Sequence, residues 1–501
     1  MPTRTARAHR AAPAPVAAAE PAAGRLAAVA LFAACGHLGL ELVSNFLPVV
    51  YPILVAEAGF SFAQVGTVTL AATLGMTLPQ PLFGMLIRRF DAGRLVIAAV
   101  LWCGLFFGLV GLAGRFWPLL AVVALGGLGS ALFHPAGSVV ASAARSRRRG
   151  AAMSIFSVGG NAGAALSPLL LAAVIGWYGL AGTLVTIPLA AATALLLVLL
   201  ARHGAVPGTG RGTTVPDGRR RRRAAGAHTV RTGSDDAPGH QGRPPRTARD
   251  GDAARPVVAM QAARRGRPAA EAGTAAPFTA QGKPRRADGA RPRDTWPARS
   301  ASAGNGTGTA VLALGLITLF AMARAWYQVS LTTYLPLWVA QHDGARVGIA
   351  QVLFVLAGSL PAGAVLGGAL SDRVGRWQVV LAAGVLLVPA NAGLLAVGPG
   401  GGPAALLPLI ALIGCLVGAT YPVAIIIAQE AWPRNIGLAG GMIMGLGWLP
   451  GGVGAAAVGM MADSIGLARA LATGLIPLLV GLLAVGGYAL LSTRGAGPLP
   501  R

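Results

Sequence analysis

The sequence predicts an all-α membrane protein in which twelve transmembrane helices form two pseudo-symmetric six-helix bundles, separated by a long basic segment. Three observations lead there. The chain of 501 residues is 54% hydrophobic and only 11% charged, whereas soluble chains carry roughly a quarter charged residues to cover their surface. Its apolar residues fall in continuous runs of about 20 or more, the length a helix needs to cross the hydrocarbon core, without the alternation of barrel strands. The formal net charge of +25 lies almost wholly between those runs.

In chain order, a cytoplasmic tail over 1–25 precedes runs at 26–56, 63–87, 95–114, 118–143, 151–176 and 181–201, which make the first bundle, 26–201. Runs at 309–340, 347–370, 378–398, 404–429, 437–461 and 470–492 make the second, 309–494, followed by a tail over 495–501. The first run is about twice as long as the apolar core of a cleavable signal. Gly, at 72 residues, would weaken helices in water but suits the close approach of helices in a bilayer. Cys35, Cys103 and Cys415 each sit inside a run, too few and too scattered for a disulfide framework.

Between the bundles, 202–308 holds 21 basic residues against 8 acidic ones and only two aromatics, Phe278 and Trp296. Rich in Arg, Ala, Gly and Pro, with the run Arg219 to Arg223, it cannot bury enough apolar surface to offset its ordering entropy. It is expected to be a disordered cytoplasmic linker. Its charge suits anionic lipid headgroups. It has no folded reader or aromatic platform, so no nucleic-acid partner is expected.

Topology follows from the accumulation of Lys and Arg on the cytoplasmic side. With the N-terminus inside, 37 of the 41 basic residues are cytoplasmic, Arg115, Arg346 and Arg469 are outside, and Arg324 lies within a run. The chain is therefore expected to span the inner (plasma) membrane many times with both termini cytoplasmic.

Ionisable groups inside spans cost at least ~2.5–3.5 kcal/mol at the bilayer centre and usually face a cavity or a partner. His37 and Glu41 stand four apart on one helical face, and Asn45 continues it. Pro48 and Pro52 are expected to bend the outer end of this span. A carboxylate and an imidazole in such a place can load and release a proton near neutral pH, which makes His37 and Glu41 the candidate proton-coupling pair. The bland alternative is a hydrogen bond that only staples this helix to a neighbour.

Arg324, with Tyr327 and Gln328 on its face, stays charged at any accessible pH and must find an anion. That anion is either substrate, or Glu41 across the bundle interface. Further candidate substrate contacts are Asn45, His134, in Phe133-His134-Pro135 between Ser130 and Ser138, and Asn161, after Gly159-Gly160. For His134 and Asn161, core packing is the competing reading. HExxH, GxSxG, a P-loop and metal-spaced cysteines are all missing. No enzyme activity, cofactor, metal or nucleotide is expected.

After the eighth run the chain reads Gly368-x-x-x-Asp372-Arg373-x-Gly375-Arg376. Asp372 can favour the positive end of a helix, Gly375 permits a tight turn, and the arginines suit carboxylates or lipid phosphates. Such contacts form only when the cytoplasmic ends of the bundles meet, so the motif is a candidate gate. With this motif and its 6 + 6 spans, the chain resembles the major facilitator superfamily. More narrowly it is similar to the fosmidomycin resistance branch of drug efflux carriers. The supporting stretches are Gly36-His37-Leu38 with Glu41, Tyr51-Pro52, Gly129 to Pro135, Ser154 to Asn161, and Ala428-Gln429-Glu430 with Pro433. The equivalent first-half loop departs from the pattern, with Arg88 where Asp is expected and Gly93-Arg94 displaced.

The resemblance implies a secondary active transporter working by alternating access about a midplane site, exporting a small drug-like or anionic compound in exchange for protons. A monomer is expected. A same-class alternative is a proton-coupled symporter importing an organic anion or sugar, because protonating a paired Glu41 would free Arg324 for an anion. An alternative of another class is a transport-inactive membrane receptor or anchor that acts through its basic linker.

Overall fold

A computed structural model describes residues 23–87, 89–142, 149–202, 306–342 and 347–494. Residues 1–22, Arg88, 143–148, 343–346, the tail 495–501 and nearly all of the 202–308 linker lie outside them. Among the described residues the apolar runs are almost entirely helical. Lipid offers no hydrogen bonds, so each segment must satisfy its own backbone.

The first span is broken into α1 (Ala23–Ser44) and α2 (Leu47–Ala58). The break falls at Asn45-Phe46, and Pro48 occupies the first turn of α2, where a missing N–H leaves no bond unmade. The bend expected from the prolines therefore comes before them. The second span is α3 (Phe62–Thr77) and α4 (Gln80–Leu86), interrupted at Leu78-Pro79. The first bundle continues with α5 (Ala92–Gly108), α6 (Phe116–Ser142), α7 (Arg149–Tyr178) and α8 (Thr186–Leu200). The second comprises α9 (Gly306–Ala340), α10 (Ile349–Val374), α11 (Arg376–Val397), α12 (Pro403–Ala431), α13 (Ile436–Gly441), α14 (Leu449–Ile465), α15 (Leu467–Thr473) and α16 (Leu475–Arg494). A π-helical turn, Met442–Leu446, leads from α13 toward α14.

Among the described residues, ten helical stretches are long and apolar enough to cross a membrane. One of them, Ala152–Leu200, contains two of the expected spans, joined through a 3-10 turn at Gly179–Val185. The interrupted α3–α4 pair falls below the length of a continuous span. Counting these two cases, the arrangement is consistent with twelve spans.

The bundles are fastened at the end where α2 turns into α3. A helix leaves its first N–H groups without intrahelical partners, and here the other bundle supplies them. The Asp463 carboxylate, near the end of α14, accepts from the N–H groups of Phe62 and Ala63, each at 2.9 Å. Ser61 caps the next position, its hydroxyl accepting from Gln64 N–H at 3.2 Å. The carboxylate also faces the positive end of the α3 dipole. Beside it, the Tyr334 hydroxyl of α9 lies 3.0 Å from the Phe62 carbonyl and 2.7 Å from that of Ala455, so one group ties α3, α9 and α14 together. Tyr51, Thr69 and Thr333 extend the polar contacts across α2, α3 and α9. Gly459 permits the approach, because a Cβ there would run into the Phe62 carbonyl and the Tyr334 hydroxyl.

At the opposite end, which holds the loops after α4 and α10, α4 packs on α6 of its own bundle. Leu78, Leu82 and Met85 are exposed there, as are Met444 and Leu446 of the second bundle.

Asp463→Ala should free two N–H groups at about 1 kcal/mol, the usual worth of a helix cap. The expected result is a lower thermal midpoint in detergent and faster maleimide labelling of a Thr69→Cys probe. Unchanged labelling would show that the cap does not fasten this end.

Candidate functional site

Glu41 sits on α1, and its carboxylate meets groups from two helices. His37, one turn earlier, places Nε2 3.4 Å from Oε1. His134 of α6 places its own Nε2 3.4 Å from the same oxygen. Asn45 donates to the other oxygen, Oε2, from one turn further along α1. The His37 and Glu41 side chains are 13% and 16% exposed, and that of His134 is 34% exposed.

Both imidazoles are oriented from behind. His37 Nδ1 lies 2.9 Å from the Phe156 carbonyl of α7, and His134 Nδ1 lies 2.9 Å from the Ser130 carbonyl. A carbonyl only accepts, so each Nδ1 carries the hydrogen and each neutral ring turns an Nε2 lone pair toward the carboxylate. Three acceptors then converge, and the nitrogen and oxygen atoms lie within 4.8 Å of one another. One proton placed among them turns mutual repulsion into a charge-assisted hydrogen bond. The His37 ring is further held by stacking on Phe156 at 4.2 Å and by Gly160, where a Cβ would strike the ring.

In the second bundle, Arg324 of α9 is 2% exposed. It donates from Nη1 to Gln328, one turn along α9. Its guanidinium carbon lies 4.7 Å from the Tyr421 ring centroid and 5.1 Å from that of Trp448. Desolvated cation–π contacts of this kind contribute about 2 kcal/mol. Trp448 Nε1 in turn donates to the Tyr421 hydroxyl at 3.1 Å, fixing the two rings. Arg324 Nε is buried and has no hydrogen-bond partner among the described residues. No carboxylate of a described residue forms an ion pair with Arg324. Glu41 is engaged within its own bundle, so the pairing of these two charges across the interface is not formed.

The remaining candidates separate. Tyr327 is buried and donates to Asn391 of α11 at 3.1 Å, away from Arg324. Asn161 is exposed on α7, whereas its neighbour Gly160 faces His37. In the loop motif, Gly375 adopts φ +115°, a conformation that favours glycine, between α10 and α11. Arg376 pairs with Glu430 at the end of α12. Asp372 and Arg373 are exposed, Gly368 is half-buried, and Asp372 caps no described helix. Arg88 of the first-half loop lies outside the described residues.

Sequence reasoning missed Tyr421 and Trp448, which surround Arg324 from distant helices, and Asp463, an acidic residue near the end of an apolar run. A lone carboxylate so placed was the available clue to the last.

The sequence profile of the Major Facilitator Superfamily matches residues 33–455, a stretch that covers most of both bundles and contains Glu41, Arg324 and the 368–376 motif. The chain belongs to that superfamily. Among curated relatives of this Major Facilitator Superfamily member, the Fosmidomycin resistance protein of Escherichia coli (strain K12) is 27% identical over 88% of this chain and 86% of its own length. An uncharacterized MFS-type transporter of Bacillus subtilis (strain 168), YfnC, is 26% identical over 86% of this chain and 85% of its own. Solved structures share the fold. An inward-facing, unoccupied bacterial homolog of the human lysosomal transporter Spinster matches with TM-score 0.61 at 15% identity, covering 95% of this chain and 98% of that one. The nucleoside transporter NupG matches with TM-score 0.59 at 10% identity, over 93% and 99% of the two chains.

Gly160→Val should push the His37 ring off Glu41 and, as an overpacked core position, cost about 1–3 kcal/mol. The thermal midpoint in detergent should fall, and His37→Ala in the same chain should partly restore it by vacating the space. Additive losses would mean that Gly160 and His37 do not interact.

Proposed function

We propose that this membrane transporter is a proton-coupled exporter, moving a small drug-like or anionic compound out of the cell in exchange for protons. The observation that supports this most is the convergence of two tethered imidazoles on the Glu41 carboxylate inside an apolar bundle, an arrangement suited to taking up and giving back one proton. Arg324, buried with no carboxylate partner and with Nε unpartnered among the described residues, is the proposed anchor for an anionic group of the substrate. Gln328 holds the guanidinium in place, and Asn45 holds Glu41.

The basic loops support a cytoplasmic location for the end that carries the 368–376 motif, in the plasma membrane. The end fastened by Asp463 then faces outward. Export is supported by the name of the Escherichia coli relative, because a carrier that confers resistance removes the compound. Symport drew its support from a direct Glu41–Arg324 pair. With the two charges kept in separate bundles, that support is gone.

The test is transport in proteoliposomes under an imposed pH gradient, with fosmidomycin as the first compound. Wild type should move it against the direction of proton flow. Glu41→Gln should abolish the effect of the gradient, and Arg324→Ala should weaken apparent affinity about tenfold or more, equivalent to about 1.4 kcal/mol. Normal coupling and affinity in both variants would refute the site.

In this reading 202–308 is a cytoplasmic linker between the bundles. Deleting 211–300 should leave transport intact, whereas a recruiting anchor would lose its activity with that segment.

A further inference from the structure

Of the two imidazoles that face Glu41, only one is open. His37 is enclosed: its Nδ1 is tied to the Phe156 carbonyl, its ring lies on Phe156, and Gly160 presses against it, leaving 13% of the side chain exposed. His134 has the same Nε2 distance to Glu41 Oε1, 3.4 Å, yet its side chain is 34% exposed. The two rings approach edge to face at 5.5 Å, so they reach the carboxylate from different directions. From the geometry we infer that His134 is the proton's port of entry to Glu41, while His37 is a positioning residue that holds the carboxylate toward it. The inference rests on the proton-coupled reading above.

The step balances without a further reagent. A hydronium ion of the solvent gives its proton to the His134 Nε2 lone pair and leaves as water, making an imidazolium that keeps its Nδ1 hydrogen on the Ser130 carbonyl. The Nε2–H bond then breaks as an O–H bond forms on Glu41 Oε1, and the ring returns to neutral. Release runs the same path backward. The Ser130 hydroxyl, 3.3 Å from His134 Nδ1, steadies the tautomer.

The neighbouring helices offer little competition. Cys103 of α5 directs its thiol to the Gly126 carbonyl at 3.4 Å. The α7 residues facing His37 present a carbonyl, a phenyl ring and a glycine. The helix α8 contains no titratable side chain. Among the described residues, Glu41, His37 and His134 are thus the titratable groups gathered at this site.

The role separates from a structural one by comparing two modes of transport in the same proteoliposomes. Net flux driven by a pH gradient needs the proton to enter and leave. Exchange of labelled for unlabelled compound at equal pH on both sides needs no net proton movement. His134→Gln should slow net flux by about 10²-fold or more, the usual worth of a placed acid–base group, and slow exchange by a much smaller factor. His37→Gln should lower both in similar proportion. His134→Ala with added imidazole provides a second reading, and the buffer should restore net flux more than exchange.

Equal losses of flux and exchange in both His134 variants, without rescue, would overturn the assignment and leave His134 a packing residue. If the wild type moves the compound but no protons, the coupled reading itself falls, and this one with it.

Discussion

A carboxylate in the middle of a lipid-embedded bundle cannot be left without a partner, and the first half of this protein is arranged around that constraint. Glu41 is met by Asn45 on one oxygen and by two imidazoles on the other. Each imidazole is in turn tied to a carbonyl of α6 or α7. Three helices therefore converge on one carboxylate, and a proton shared among its acceptors holds them together. Gly160 allows α7 to come close enough to take part.

The second half solves the opposite problem with different chemistry. Arg324 is buried, and aromatic faces and one amide take the place of a counter-ion. Aromatic contacts soften the cost of the cation without neutralising it, so the group stays able to receive an anion. Keeping the acid and the base in separate bundles means that neither cancels the other. The two bundles share an interface, where α3, α9 and α14 meet at Tyr334 and Asp463.

Much of this was legible in the sequence, for physical reasons. Twelve spans could be read because lipid forces long apolar helices. The relation between His37, Glu41 and Asn45 could be read because residues four apart share a face. His134 was visible as an odd residue in an apolar run, but its meeting with Glu41 needed the packing of α6 on α1, which no local pattern encodes. The same limit hid Tyr421 and Trp448, which belong to α12 and the turn before α14. Tyr327 was misplaced by its spacing. It lies three residues from Arg324, yet the helix turns its hydroxyl to Asn391 on α11. Asp463 acts through backbone N–H groups, and these leave no trace in residue types.

The central claim is that Glu41 holds the proton that this carrier exchanges for its substrate. Proton release on substrate binding tests it most directly, measured with a pH indicator on detergent-solubilised protein in weak buffer, using a compound that the proteoliposomes transport. The account predicts up to one proton released per chain, and none from Glu41→Gln. Proton uptake on binding, or equal release from the variant, would contradict it.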